Sequence, residues 1–379
     1  MHYLSLFSGI GGLESSSQTP RAVCEIEPWC QKVLSRKFPK AQLSKDVRSF
    51  NPPAVDVVAG GWPCQDISAA GLRKGLMGER SGLFFRMLEV AKEAGAHTIV
   101  AENVPNLLKL EGGRAFQLIV TALQQAGFNY VAWRTLNARE FALPQNRNRV
   151  FLIASRFREL SASVHRPVNV GAVKSGAHAS GFYWTAGLQG ICYSDGYVPA
   201  LKIGSSIGVP SPPAVHYDDI VRKASANECL ALQGFSLEEF SDIPDKAKFA
   251  MAGNAVALPV GRFVMDGVFD ASTPDFIITD LFASGTIPYD GIDFGEGPLS
   301  VANKKSELSS NLAAFIDRSI TQPLSRRAAR GLLSRLERSG KPCPLPLLTQ
   351  LRQLSADGDT AEGRHGSAAF LKSSTVSHL

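Results

Sequence analysis

The stretch Gly60-Gly61-Trp62-Pro63-Cys64-Gln65 sets a cysteine directly after a proline, on a loop leaving the apolar run Val55 to Ala59. Packing alone seldom calls for a cysteine on a rigid Gly-Gly-x-Pro loop, although a structural cysteine buried in a turn is the competing reading. Further along, the run His97 to Ala101 delivers Glu102-Asn103-Val104, and Gln145-Asn146-Arg147-Asn148-Arg149 follows. A thiol, a carboxyl group and two guanidiniums are residue types able to supply a nucleophile, an acid and fixed cations. Their wide separation in sequence means that only a fold could bring them together.

The surrounding pattern supplies elements to do so. His2 to Phe7 reads as a buried strand running into Ser8-Gly9-Ile10-Gly11-Gly12-Leu13-Glu14. Strand, glycine turn and helix form the usual cradle for a nucleotide-like cofactor at the carboxyl edge of a parallel sheet, with a tight loop as the plainer reading. The dinucleotide fingerprint needs a third glycine where Glu14 stands. A carboxylate is a poor neighbour for pyrophosphate and a lesser problem for a cofactor without phosphate, such as S-adenosylmethionine. That argues against a nicotinamide dehydrogenase. Arg21 to Ile26 is a second strand, and Glu25 at its end is placed to accept from ribose hydroxyls. Asp46-Val47, after a third short segment, could accept from an adenine amino group and pack on its ring.

Periodic helices over Gly82 to Ala94 and Ala115 to Ala126 alternate with strands, and Tyr130 to Leu136 and Arg149 to Ala154 close the sheet. The fold class is therefore α/β, a doubly wound Rossmann-like domain over residues 1–155, completed by 253–270. Gly71 to Ser81 reads as a mobile loop. Residues 156–252 form a smaller, loop-rich domain with an aromatic cluster at Phe182-Tyr183-Trp184. Within it Ser225 and Glu228 make a capping box for a short helix. A helical run is expected from Ala252 to about Val268. Residues 271–300 read as a linker or extended wrap. Ser325 to Ser339 reads as an amphipathic helix with Ala328, Leu332 and Leu336 on one face and Arg326, Arg330 and Arg338 elsewhere, docked on the protein or, as the second reading, in contact with nucleic acid. The polar end of the chain reads as disordered.

Composition narrows the class. A chain of 379 residues with 44% hydrophobic and 20% charged content suits a soluble globular protein. No apolar run is long enough to span a bilayer, and the N-terminus lacks the basic start of a signal peptide. Six scattered cysteines, with no C-x-x-C pair, argue for a reducing compartment and against zinc or disulfide scaffolding; no metal is expected. Net charge is +6, and residues 301–379 hold 12 Lys/Arg against 6 Asp/Glu. A basic balance is compatible with a polyanionic partner.

Taken together, residues 1 to about 268 resemble the C5 cytosine-specific DNA methyltransferase family, of bacterial or phage type. The resemblance rests on Phe7-Ser-Gly-x-Gly-Gly12, Gly61-Trp-Pro-Cys-Gln-Asp-Ile-Ser68, Glu102-Asn-Val104, Gln145-x-Arg147-x-Arg149, Arg222 to Phe235 and Gly253-Asn-Ala-Val256, all in the family's order. Trp62 stands where phenylalanine is more usual, and the segment beyond 270 lies outside the shared core.

The resemblance implies a sequence-specific DNA (cytosine-5-)-methyltransferase that uses S-adenosyl-L-methionine on a flipped-out cytosine in double-stranded DNA. Cys64 would be the nucleophile at C6, Glu102 the acid at N3, Arg149 and Arg147 the cations at O2 and the nearby backbone, and Asn103 a brace for the Pro63 loop. Phe7, Gly9, Gly11, Glu25, Asp46, Pro63 and Asn254 would hold the methyl donor. Gln65, Ser68 and Arg73 would meet the DNA around the flipped nucleotide. Residues 156–252 would be the target-recognition domain, with base contacts from roughly 160–215. The setting implied is cytoplasmic and monomeric, with or without a cognate restriction endonuclease. Two other readings stay open: an RNA (tRNA) cytosine-5 methyltransferase, since that branch shares the Pro-Cys loop, and a catalytically silent DNA-binding protein.

Overall fold

The computed structural model describes the chain apart from residues 15–16, 64–81, 170–177, 184–190, 203–211, 271–273, 275, 282–286, 305, 307, 310, 341 and 357–379. The loop expected at 71–81, Trp184 and the polar C-terminal end therefore lie outside the described residues, as do Cys64, Gln65, Ser68 and Arg73.

Strands β1 (Tyr3–Leu6), β2 (Ala22–Cys24), β3 (Gln42–Ser44), β4 (Val57–Gly60) and β5 (Thr98–Asn103) pair in parallel in the order β3-β2-β1-β4-β5. After β6 (Tyr130–Asn137) and the short β7 (Gln145–Asn146), β8 (Asn148–Ser155) inserts antiparallel between β5 and β6. Successive side chains alternate between two cores. Leu4, Leu6, Val58 and Ile99 face one, with Phe84, Met87, Phe116, Ile119 and Trp133. Tyr3, Val57, Ala59 and Val100 face the other, with Val260, Val264, Met265 and Val268. Every residue of β1 and β4 is buried, as a parallel strand covered on both faces requires. This is the expected doubly wound α/β sheet, and its carboxyl edge carries the turns after β1, β2, β4 and β5.

Two expectations change. The run from Ala252 is not one helix: Asp245–Asn254 ends at Asn254, and Leu258–Asp270 starts anew. Ala255 is extended, with ψ 145°. Pro259, in the first turn of the second helix, has no N–H to give a continuous helix. Second, the segment expected to be a linker is sheet. After β9 (Ser180–Phe182), β10 (Ser194–Asp195), β11 (Val198–Pro199), β12 (Ala214–Tyr217) and β13 (Ile220–Lys223) of the small domain come β14 (Ile277–Leu281), β15 (Gly291–Asp293) and β16 (Leu299–Ala302). These last three extend the central sheet to ten strands among the described residues, through antiparallel pairing of β15 with β6. Trp133 Nε1 donates to Pro288 O (2.9 Å) and Thr135 N to Asp290 Oδ1 (2.8 Å). Gly291 is required there, because a Cβ would fall 2.4 Å from the Trp133 ring.

The small domain is built on the sheet β10-β9-β12-β13. Helix Ala226–Ala231 beside it carries the Ser225–Glu228 capping box. The small sheet is covered on both sides. Val215 and Tyr217 pack with Leu230, Phe235 and Phe240. Phe182, Ala214 and Val221 pack with Leu332, Leu336, Leu347 and Leu351 of the helices Arg326–Ser339 and Leu345–Ala356. The buried face of Arg326–Ser339 is Ala329, Leu332 and Leu336, with Ala328 half-buried against the same cluster. No helix among the described residues is long and apolar enough to cross a membrane.

Candidate active site

The glycine turn follows β1 in a conformation that side chains resist. Gly9 and Gly11 take φ +55° and +75°, and Phe7, although not glycine, takes φ 53°. A non-glycine residue held there stores about 1–3 kcal/mol, which the surrounding structure must offset. The turn is closed by Gly11 N donating to Ser8 O (2.9 Å) and Ser8 N to Cys24 O (3.1 Å). At Gly12 a Cβ would lie 2.2 Å from Val256 O, so the turn sits directly on the 254–256 break between the two helices. The two motifs are far apart in sequence and adjacent in space.

Between them is a cavity lined by Phe7, Gly9, Ile10, Asn254 and Val256 on one side and Gly61 and Glu102 on another. Among the described residues, no Lys, Arg or His lines it. The described lining offers a phosphate group no cation, whereas a sulfonium-bearing methyl donor would meet the Glu102 carboxyl group and backbone dipoles. Glu25, at the end of β2 on the same sheet edge, accepts from Gly9 N (2.7 Å) and Glu27 N (2.9 Å), one bond to each oxygen. Each oxygen keeps capacity for a further donor. Asp46 caps its own turn through Arg48 N (2.9 Å) and pairs with the Arg48 guanidinium (3.0 Å). Asp46 is not among the cavity-lining residues.

Glu102 stands at the end of β5 with its side chain 12% exposed. Arg149 Nε meets Glu102 Oε1 at 3.0 Å. Burial pushes the Glu102 carboxyl above the usual range, and Arg149, then Arg147, pull part of the way back. The loop after β4 is fitted to this group. A Cβ on Gly61 would come 2.7 Å from Glu102 Oε2, and Asn103 Nδ2 donates to Trp62 O (3.1 Å), just ahead of Pro63. Pro63 is exposed.

The two arginines part company. Arg149, next to β5, points at Glu102. Arg147 turns inward, 2% exposed, and its guanidinium donates to Leu201 O (3.1 Å), Gly253 O (3.1 Å) and Ala255 O (2.7 Å). Burial, then the neighbouring Arg149 charge, pulls Arg147 down to about 9, so it remains charged at neutral pH. The expectation of Arg147 at the substrate edge is thus replaced by a clamp on backbone carbonyls. Residues two apart on an unbroken strand would share a face; Arg147 parts from Arg149 because it falls in the break between β7 (Gln145–Asn146) and β8 (Asn148–Ser155). Gln145 and Gln233, which the motifs include without assigning them a role, complete this clamp. Gln145 Nε2 donates to Leu232 O (3.0 Å), and Leu201 N donates to Gln145 Oε1 (3.0 Å). Both glutamines are fully buried, and a polar residue inside an apolar run such as Leu230 to Phe235 was the available signal.

Glu14, which broke the dinucleotide fingerprint, is also buried, and neither of its oxygens has a hydrogen-bond partner among the described residues. Burial pushes it to about 7, opposed in part by Lys37. Lys37 Nζ itself donates to Gly11 O (2.6 Å), tying that charge to the turn.

A family model for C-5 cytosine-specific DNA methylase matches residues 1–181. The Type II methyltransferase M2.BsuMI of Bacillus subtilis (strain 168) is 35% identical over 369 residues, covering 89% of this chain and 94% of its own. M.Bsp6I of Bacillus sp. (strain RFL6) is 27% identical over 312 residues, covering 70% and 97%. A solved DNMT2 from Spodoptera frugiperda matches with a TM-score of 0.50 at 14% identity, over 71% of this chain and 100% of that one, a likeness of fold. The thiol loop, the strand-end acid and the glycine cradle therefore belong to a member of the C-5 cytosine-specific DNA methylase family, an enzyme that methylates cytosine at C5 in a sequence-specific manner.

Proposed function

We propose that the methyl donor is S-adenosyl-L-methionine, held between the glycine turn, Glu25 and Asn254, and that Cys64, Glu102 and Arg149 act on an extruded cytosine beside it. One observation supports this most: Glu102 lines the same cavity as Phe7, Gly9 and Asn254. Acid and donor cradle are neighbours, as transfer of one carbon between two bound molecules demands. When bound, the cofactor would supply an electrophilic methyl group on sulfur. The chain's own residues do the rest. The Cys64 thiolate adds to C6, and the ring electrons this displaces make C5 nucleophilic. Glu102, whose carboxyl group burial pushes above the usual range, protonates or hydrogen-bonds N3 as negative charge builds there. Arg149 holds Glu102 in place and reaches the O2 edge. After C5 is methylated, loss of the C5 proton to a base restores the double bond and expels Cys64. Base flipping must precede all of this, because C5 and C6 are shielded within a stacked duplex.

Arg147, Gln145 and Gln233 position rather than react. They fix the donor-side turn at 253–255 to the backbone of Leu201 in the small domain. In this reading the small domain over 156–252 chooses the target sequence, and Gln65, Ser68 and Arg73 contact the DNA around the flipped base. The decisive experiment is transfer of labelled methyl from S-adenosyl-L-methionine to duplex DNA. Cys64→Ser is expected to abolish it, and undiminished transfer overturns the mechanism. Offering tRNA as acceptor beside duplex DNA separates DNA from RNA action. Bisulfite sequencing of DNA from cells expressing the protein gives the target site.

A further inference from the structure

The chain's charge is distributed unevenly. The terminal helix pair, residues 326–356, holds seven Lys/Arg and one Glu, a net of +6 that equals the charge of the whole protein. On the helix Arg326–Ser339 the exposed residues are Arg327, Arg330, Ser334, Glu337 and Arg338, which fall on one face, while Ala329, Leu332 and Leu336 are buried on the opposite one. Among the described residues Arg327, Arg330 and Arg338 form no ion pair.

The helix's own electrostatics run against this placement. Arg326 and Arg327 occupy its first turn, where the dipole disfavours cations and no acid compensates. Glu337 lies in the last turn, where the dipole disfavours an anion. Arg327 and Arg330, and Arg335 and Arg338, are three residues apart and repel. What holds the helix is packing on the small sheet, with Leu324 N donating to Val221 O (2.8 Å) and Arg326 Nε to Ser355 O (3.1 Å). The arginine face is thus carried at a cost to the helix, on an element fixed rigidly to the small domain.

We infer that this face is a second DNA-binding surface, which grips the phosphate backbone of the duplex outside the target base pairs. Arg327 and Arg338 are about 16 Å apart along the axis, a length that spans several phosphates at ~3.4 Å axial spacing per strand. Docking excludes the membrane alternative, because the apolar face such a helix would insert is already spent on Phe182, Ala214 and Val221. The known substrate of the enzyme is a polyanion of the required shape, and a rigid basic face adds affinity without reading sequence.

The test is binding of the full-length enzyme to random-sequence duplex DNA across a range of salt concentrations. The variants are an Arg327→Gln, Arg330→Gln, Arg338→Gln triple and a control triple, Lys40→Gln, Lys92→Gln, Arg114→Gln, which removes the same charge from exposed positions elsewhere. The helix triple should lower the slope of log affinity against log salt by about 2 to 3, at roughly 0.9 per lost phosphate contact. KM for DNA should rise about tenfold near physiological salt, with kcat unchanged. The control triple should leave the slope as it is, and a charge-retaining Arg→Lys triple at the helix positions should restore it. An unchanged slope in a helix triple that melts like wild type overturns the proposal. So does an equal fall in both triples, which would mean only overall charge. Loss of binding to RNA or to phosphatidylserine vesicles with the DNA slope intact would also overturn it.

Discussion

Two of the Arg–Glu pairs among the described residues are built to opposite ends. Arg222 and Glu228, in the small domain, are 1% and 6% exposed and meet through two bonds of 2.8 and 2.6 Å. Glu228 also accepts from Ser225 N and Asp317 N, and Arg222 donates to Tyr217 Oη. Every strong lone pair is used. Arg149 and Glu102, at the sheet edge, share a single close contact of 3.0 Å and are 18% and 12% exposed. Glu102 Oε2 points toward Gly61, where only a glycine leaves room. A saturated buried pair fixes a domain, while a pair with capacity to spare can accept a substrate. The same two side chains serve structure or chemistry according to how many other partners the fold supplies.

Changing each carboxylate to an amide tests that contrast. Glu102→Gln should cut kcat by roughly 10²- to 10⁴-fold, the range for a lost general acid, while the melting temperature stays near wild type. If activity survives and stability collapses, the pair at the sheet edge is structural after all. Glu228→Gln should do the reverse, lowering stability in urea by about 3–5 kcal/mol, because Arg222 is left buried without its counter-charge. Refolded Glu228→Gln enzyme is expected to retain its rate.

A third buried acid sharpens the point, because neither Glu14 oxygen has a well-formed hydrogen bond among the described residues, and Lys37, Ser5 and the Leu13 backbone only partly offset its burial. Its carboxyl is raised to about 7 in the fold against 4.5 when free, so the unfolded chain ionises first as pH rises. The folded state is therefore favoured below about 4.5, and that advantage is lost as pH climbs through about 7. The size is on the order of 3 kcal/mol. Glu14→Gln should flatten the stability–pH profile over that interval, and a profile identical to wild type would refute the assignment. The smallest effect expected is at Gly61→Ala. Its new methyl group must displace Glu102 Oε2, and about a tenfold loss in kcat with little change in stability should follow.

Some of this was legible without coordinates because the signals are local. Val57 to Gly60 is an apolar run because a parallel strand is buried on both faces. Ser225 and Glu228 announce a helix start because both halves of a capping box lie within one turn. The glycines after β1 mark a turn because φ above zero is difficult for other residues. The order of the motifs then carried the family.

Other features were decided by partners distant in the chain. β15 is three residues long and bracketed by glycine and proline, and it becomes a strand only because β6 offers an edge. Pro259 makes a break near Ala255 necessary, but only the fold seats Gly12 against Val256 O beside that break. Arg147 and Arg149 are alike in sequence, yet one clamps carbonyls at 201, 253 and 255 while the other faces Glu102. Residue type and spacing follow from backbone sterics and periodicity, which act over a few residues. Which polar group a side chain meets depends on how separate segments pack, and that is settled only when the two domains close on each other.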